Sequence, residues 1–249
     1  MTMARARADV VALSAIVVGW AATVAGSAAG WRYMMGHDHV IEGGGSALTG
    51  LLVFLAGWLV MVTAMMLPSS LPAIRWFRSL DGVAQAPHRR AGAFLAGFAA
   101  IWTVIGVGAL AGDVLVHQLS HRLAWLEVRP WLIAAGALIV AGGFQLSRWS
   151  HRCRDPEPHH VRRQVSGSVD SAGAFGLGAD HAWVRLHDCW PLMLVSFAFG
   201  MTSLAWMAGL TVLMTVERSP RLAALAAFAS GVAFLAGAGL TMARPGLLA

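Results

Sequence analysis

The sequence predicts an all-α protein, a polytopic bundle of about six transmembrane helices that forms a single integral membrane domain. Of its 249 residues, 57% are hydrophobic and only 12% are charged, which is about half the charged fraction of a typical soluble domain. Apolar runs of about 20 residues, the length that crosses a bilayer core, recur along the chain. Six such runs lie at residues 10–30, 47–67, 91–116, 130–147, 190–216 and 222–242.

The runs differ in how they begin and end. The first follows two arginines and resembles a secretory signal, but its apolar stretch is longer than a signal core and other spans follow, so we interpret it as a retained helix. The second reaches Pro68, which ends or kinks a helix and would leave irregular backbone there. Between the fourth and fifth runs, residues 148–188 form a long inner loop whose Ser/Gly-rich part, 166–178, is typical of a flexible linker.

The arginines predict the orientation, because the chain contains no lysine. With the N-terminus and the C-terminus inside, thirteen arginines lie on the inner side and five on the outer side, as expected for a protein of the bacterial cytoplasmic membrane. Arg218 and Arg221 are among those assigned to the outer side. The net charge of +6 then reflects inner loops resting on anionic lipid headgroups, and no nucleic-acid partner is needed.

Metal ligands gather near the predicted inner face. Sulfur donors prefer soft ions such as Cu(I), while imidazole suits copper, zinc, iron and nickel. Three helix ends are expected to bring together thiols, thioethers and imidazoles there, namely Met61, Met65, Met66, His151, Cys153, His187, Cys189 and Met193. A reducing compartment would keep both cysteines as thiols. Methionine is also an ordinary core residue, and packing is the favoured interpretation of the stripe formed by Met193, Met201, Met207 and Met214.

A second group of ligands lies on the predicted outer side. The first outer loop contains His37 and His39, and the third run ends with Asp113, His117 and His121 at intervals of four. That spacing places a carboxylate and two imidazoles on one helix face, which is a two-histidine geometry for a transition metal. The alternative is that these polar side chains simply meet water at a helix end.

Three segments carry a family resemblance. WLVMVTAMMLP, GGFQLSRWSHRC and DCWPLMLVSFAFGMTSLAWMAGLTVLMTVE resemble, in order, the hallmark blocks of a bacterial family of predicted metal-binding integral membrane proteins, some labelled copper chaperones. The resemblance implies metal-related roles for five residues, and Gln145, Trp206 and Met207 are further matched positions; the five are Met65, Met66, Cys153, Cys189 and Met193. The sequence departs from the family where Arg185 and Asp188 stand at two positions of a cysteine cluster.

Three functions follow as hypotheses. The first is a copper-handling membrane protein that binds Cu(I) at the inner helix ends and assists delivery to a membrane metalloenzyme or complex, although zinc or another transition metal would also suit some donors. The second is a metal-ion transporter, with the outer histidines as entry and the methionine stripe as a path. The third is an assembly subunit of a membrane complex that binds no metal. An enzyme is not expected, since no phosphate-binding loop, nucleophile elbow or HExxH motif occurs.

Overall fold

The computed structural model describes residues 3–28, 46–79, 87–122, 129, 131–147, 170–199, 203–219 and 221–244. Over these residues the predicted all-α class is confirmed, and seven helices are present. They are α1 (Met3–Ala28), α2 (Ala47–Ser79), α3 (Pro87–Arg122), α4 (Trp131–Leu146), α5 (Ser171–Ala198), α6 (Leu204–Val216) and α7 (Ala223–Ala243).

Three of these helices contain a stretch that is long and apolar enough to cross a membrane. The stretches are Leu48–Arg75 in α2, Arg89–Val116 in α3 and Ala223–Ala243 in α7. The apolar parts of α1, α4 and α6 are shorter, each between 10 and 17 residues. A bundle of six spans therefore remains a prediction.

The region of the predicted fifth span differs from the prediction. Residues 190–216 do not form one helix, because α5 ends at Ala198 and α6 begins at Leu204. In addition, α5 begins at Ser171, inside the stretch that was expected to be a loop. Asp170 explains this start, since its Oδ1 accepts a hydrogen bond from the backbone N–H of Gly173 at 2.8 Å, as an N-cap residue does. Gly178, one of the glycines that suggested a linker, instead permits close helix packing.

The described chain divides into two compact units. Unit 1 comprises Met1–Ala111 and Pro158–Trp183, and unit 2 comprises Gly112–Glu157 and Val184–Ala249. Helices α3 and α5 each contribute one part to unit 1 and another to unit 2.

In unit 1, α1 packs along α2, and tryptophans bond to backbone carbonyls. Pro68 has no N–H, so the carbonyl of Ala64 lacks its usual helical donor; the indole Nε1 of Trp20 donates to that oxygen at 3.1 Å. The Nε1 of Trp58 likewise donates to the carbonyl of Trp102 in α3 at 2.8 Å. Helices α3 and α5 approach so closely that a Cβ on Gly178 would overlap the carbonyl of Phe94.

In unit 2, α4 and α7 pack along each other in opposite directions. Gly142, near the end of α4, lies against Gly231, while Leu138 lies against Gly237 further along α7. A side chain on Gly142 would meet the backbone oxygen of Gly231, so the glycine allows this close approach. Helix α7 consequently begins at the end of unit 2 where α4 finishes.

Candidate metal site

A line of buried side chains marks one face of α5 within unit 2. Arg185, Cys189 and Met193 follow one another at intervals of four, which places them on the same side of the helix. Cys189 is only 1% exposed and Met193 is 6% exposed, and Cys189 is a free thiol. His187 is exposed and lies on the other side of the helix, two residues from Cys189.

Helices α5 and α6 form an antiparallel hairpin whose register is set by contacts at both ends. At its base Arg218 donates to the carboxylate of Asp188. Near its tip the rings of Phe199 and Trp206 stack with centroids 4.7 Å apart. Eleven residues separate the two contacts along α5 and twelve along α6. The two helices are therefore antiparallel and are connected by contacts at both ends, and we refer to them as the α5–α6 hairpin.

This register shows which part of α5 lies level with Met214 of α6. Met214 precedes Arg218 by four residues, and the corresponding residue on α5 is Leu192 when counted from Asp188 and Pro191 when counted from Phe199. Met214 is 3% exposed and lies on the buried stripe of α6. Cys189 is one turn of α5 away from Met193, a separation at which side chains of a helix are neighbours.

Charged residues surround the base of the hairpin. Asp188 accepts from Arg218 and lies 3.8 Å from Arg185, which is itself buried. The buried Glu217 interacts electrostatically with Arg185 and accepts a hydrogen bond from Gln145 of α4 at 2.7 Å. Two arginines and two carboxylates therefore take part in these contacts. Buried charges are costly unless they are paired in this way.

The network also affects the thiol beside it. Burial raises the pKa of Cys189 to about 11, and the positive charge of Arg185 opposes part of that rise. The thiol therefore carries its proton at neutral pH, and a metal ion that binds the sulfur as thiolate must displace that proton.

The comparisons with known proteins identify the family. A family model described as PpoB2, a copper chaperone, matches residues 55–241. The chain belongs to this family. The match extends from within α2 to within α7 and so includes both ends of the hairpin. It confirms the family that the three sequence segments indicated. No curated protein and no solved structure matches the chain.

The methionines that the family resemblance singled out in α2 lie in unit 1. Met61, Met65 and Met66 are all buried. The expected irregular backbone beside them is absent, because α2 continues through Pro68 and Pro72 as far as Ser79. Trp20 explains this, since it supplies the hydrogen bond that Pro68 removes from the helix. That these thioethers share one pocket with Cys189 remains a prediction.

Several predicted ligands cannot be placed. Cys153, His151, His37 and His39 lie outside the described residues. His117 and His121 belong to α3, but their side chains are not among those described. Within the part of the chain that is described, no group of three or more histidine, cysteine or carboxylate side chains is arranged to hold a metal ion.

The sequence analysis did not predict the contacts among Arg185, Asp188, Glu217 and Arg218, and it assigned some of these residues to opposite membrane faces. Arg218 was expected on the opposite membrane face from Cys189, yet Arg218 bonds to Asp188, the residue next to Cys189. The error came from treating residues 190–216 as one span. Two signals were available: a run of 27 apolar and small residues is longer than one span needs, and ionisable residues flank it at both ends, Asp188 and Glu217.

Proposed function

We propose that this protein is an integral membrane copper chaperone that binds a copper ion at the base of the α5–α6 hairpin and delivers it to a membrane metalloenzyme. The observation that carries the proposal is the buried pair of sulfur donors, Cys189 and Met193, one helical turn apart beside the charged residues at the base of the hairpin. Membership in a family described as copper chaperones supports copper as the metal.

The chemistry of the donors agrees with this proposal. Thiolate and thioether sulfur favour copper over the harder ions that carboxylates and water bind. A chaperone must also release its metal, and thioethers are uncharged ligands that give up an ion more readily than a set of thiolates does. The cysteines that Arg185 and Asp188 replace relative to the family pattern would have made a site with more thiolates. We therefore favour binding and delivery over storage or catalysis.

For the membrane arrangement we propose five spans, α1 to α4 and α7, with the α5–α6 hairpin entering and leaving on one side. Helix α6 has 13 residues and is about 20 Å long, the furthest of these helices from a bilayer core of about 30 Å, whereas the 16 residues of α4 reach about 24 Å. In this arrangement Arg218 and Arg221 are assigned to the inner side with Arg185, and Arg244 is assigned to the outer side with the C-terminus. Fourteen arginines then lie inside and four outside, which satisfies the positive-inside rule better than six spans do.

Reporter fusions test this arrangement in the full-length chain. Alkaline phosphatase fused after Ala249 should be active and green fluorescent protein at the same position dark, because only the phosphatase matures outside the cytoplasm. The N-terminal fluorescent fusion is the matched control and should be bright. A bright C-terminal fluorescent fusion would contradict five spans and restore an inside C-terminus.

Copper content tests the site. The protein purified in detergent should bind Cu(I) in competition with a chromogenic chelator, and Cys189→Ala should lose that binding. Cys153→Ala alone and the double variant show whether the second thiol contributes. Equal copper stoichiometry in the wild type and the double variant would show that neither thiol binds copper. The hypothesis of an assembly subunit without metal would then be favoured. Co-purification of a membrane copper enzyme with the wild type is the expected sign of delivery.

A further inference from the structure

We infer that Arg185 makes copper binding at the proposed site reversible, because its buried positive charge lies one helical turn before Cys189 and opposes the charge of a bound cation. This inference rests on the proposed function and concerns the control of that same site. Arg185 would act on the metal by electrostatic repulsion and would not bind it. Removal of its charge should therefore strengthen copper binding and slow copper release, whatever the full set of ligands is.

Arg185 lies on the buried face of α5 that carries the proposed ligands. It is 3% exposed and precedes Cys189 by four residues, a spacing at which two side chains of a helix are neighbours. Its guanidinium interacts electrostatically with both Cys189 and Glu217. Arg185 has further interactions as well, and a guanidinium keeps its positive charge in all of them. A fixed positive charge and the thiol therefore lie close together, and both are buried.

A bound cation would compete with Arg185 for the same negative charge. Asp188 is adjacent to Cys189 in the chain. Its Oδ2 accepts a hydrogen bond from Arg218 and lies 3.8 Å from Nη1 of Arg185, while its Oδ1 is buried and has no hydrogen-bond partner among the described residues. The carboxylate of Asp188 attracts a cation at the thiol, and the charge of Arg185 weakens that attraction. The two residues should therefore have opposite effects on copper affinity.

The position of the charge decides the size of the effect. Like charges on neighbouring side chains of a helix, with Cβ atoms about 5 to 6 Å apart, repel strongly enough in a protein interior to change an affinity by about tenfold or more. Arg244 provides the matched control, because it is exposed and lies at the end of α7, whose 21 residues are about 30 Å long. Solvent and salt screen such a charge.

The test measures Cu(I) affinity and Cu(I) release of the full-length chain in detergent. Competition with a chromogenic chelator gives the affinity, and the rate at which an excess of that chelator removes bound Cu(I) gives the release. Arg185→Gln should bind Cu(I) about tenfold more tightly and release it more slowly. Arg185→Lys keeps the charge and should stay close to the wild type, as should Arg244→Gln. Asp188→Asn should weaken Cu(I) binding by about tenfold.

The outcomes separate this inference from the function on which it rests. If Cys189→Ala abolishes copper binding but Arg185→Gln binds and releases Cu(I) like the wild type, the role of Arg185 is overturned and the copper chaperone stands. Equal tightening in Arg185→Gln and Arg185→Lys would also overturn it, since charge would then not be the cause. Unchanged or tighter binding in Asp188→Asn would overturn it even if Arg185→Gln failed to fold. Undiminished copper binding in Cys189→Ala would overturn both proposals.

Discussion

Two groups of buried sulfur, one in each unit, have different surroundings. In unit 1 the thioethers of Met61, Met65 and Met66 lie in a helix whose polar requirements are met by tryptophan indoles that bond to backbone carbonyls. In unit 2, Cys189 and Met193 lie beside four charged residues that bond to one another. Burial is similar in both groups, so burial alone does not distinguish a metal site from core packing.

The charged network makes the difference between the two groups informative. Apolar residues of similar size often stabilise a protein as well as buried ion pairs do, so packing gives no reason to keep Arg185, Asp188 and Glu217 at this position. A cation that binds and leaves, as proposed above, would give one, because it needs compensating charge in both states. The charged residues therefore support the proposed site in unit 2, and a role of the α2 methionines in metal binding remains a prediction.

The largest expected effect comes from removing sulfur in each group. Cys189→Ala should weaken Cu(I) binding at least about 100-fold, because it removes the charged ligand. Met65→Leu combined with Met66→Leu should leave Cu(I) affinity within about twofold, since leucine replaces methionine in a core at little cost. Chelator competition measures both. A comparable loss in the α2 double variant would break the comparison and make unit 1 part of the site.

The pH dependence of binding sharpens the contrast. The thiol of Cys189, with a pKa of about 11, releases one proton when the metal binds. Cu(I) affinity should therefore rise about tenfold for each pH unit between roughly pH 6 and 9. Thioethers have no proton to release, so a site made only of the α2 methionines would show a flat profile. The titration uses a chelator whose own affinity is corrected for pH, and a flat profile would argue against the thiolate.

The smallest effect concerns the structural role of unit 1. Trp20→Phe should reduce the free energy of unfolding by roughly 1 kcal/mol, because the carbonyl of Ala64 loses its donor. In the Pro68→Ala background the backbone N–H at position 68 can serve that carbonyl, so the same substitution should cost less. Thermal unfolding in detergent provides the four values of the cycle. Equal costs in both backgrounds would show that Trp20 stabilises α1 by packing alone.

Much of the fold and part of the site follow from the sequence. Hydropathy predicted helices throughout, and the spacing of Cys189 and Met193 predicted their common face. The hairpin was not predicted, because hydropathy records how apolar a run is and not whether the chain turns within it. The start of α5 was missed because a stretch rich in serine and glycine has the composition of a linker, although one of its glycines, Gly178, packs against Phe94. The contact between Asp188 and Arg218 was not predicted either, since the pairing of α5 with α6 is a tertiary property.

The proposed five-span arrangement has one more consequence. A helical hairpin that turns back before the far leaflet would expose its metal to one side of the membrane only, so loading and unloading would take place in the same compartment. In that arrangement the hairpin would not carry an ion across the bilayer, which argues against the transporter hypothesis. Donor and recipient proteins would then have to dock in turn at the surface formed by the end of α4 and the arginines beside it.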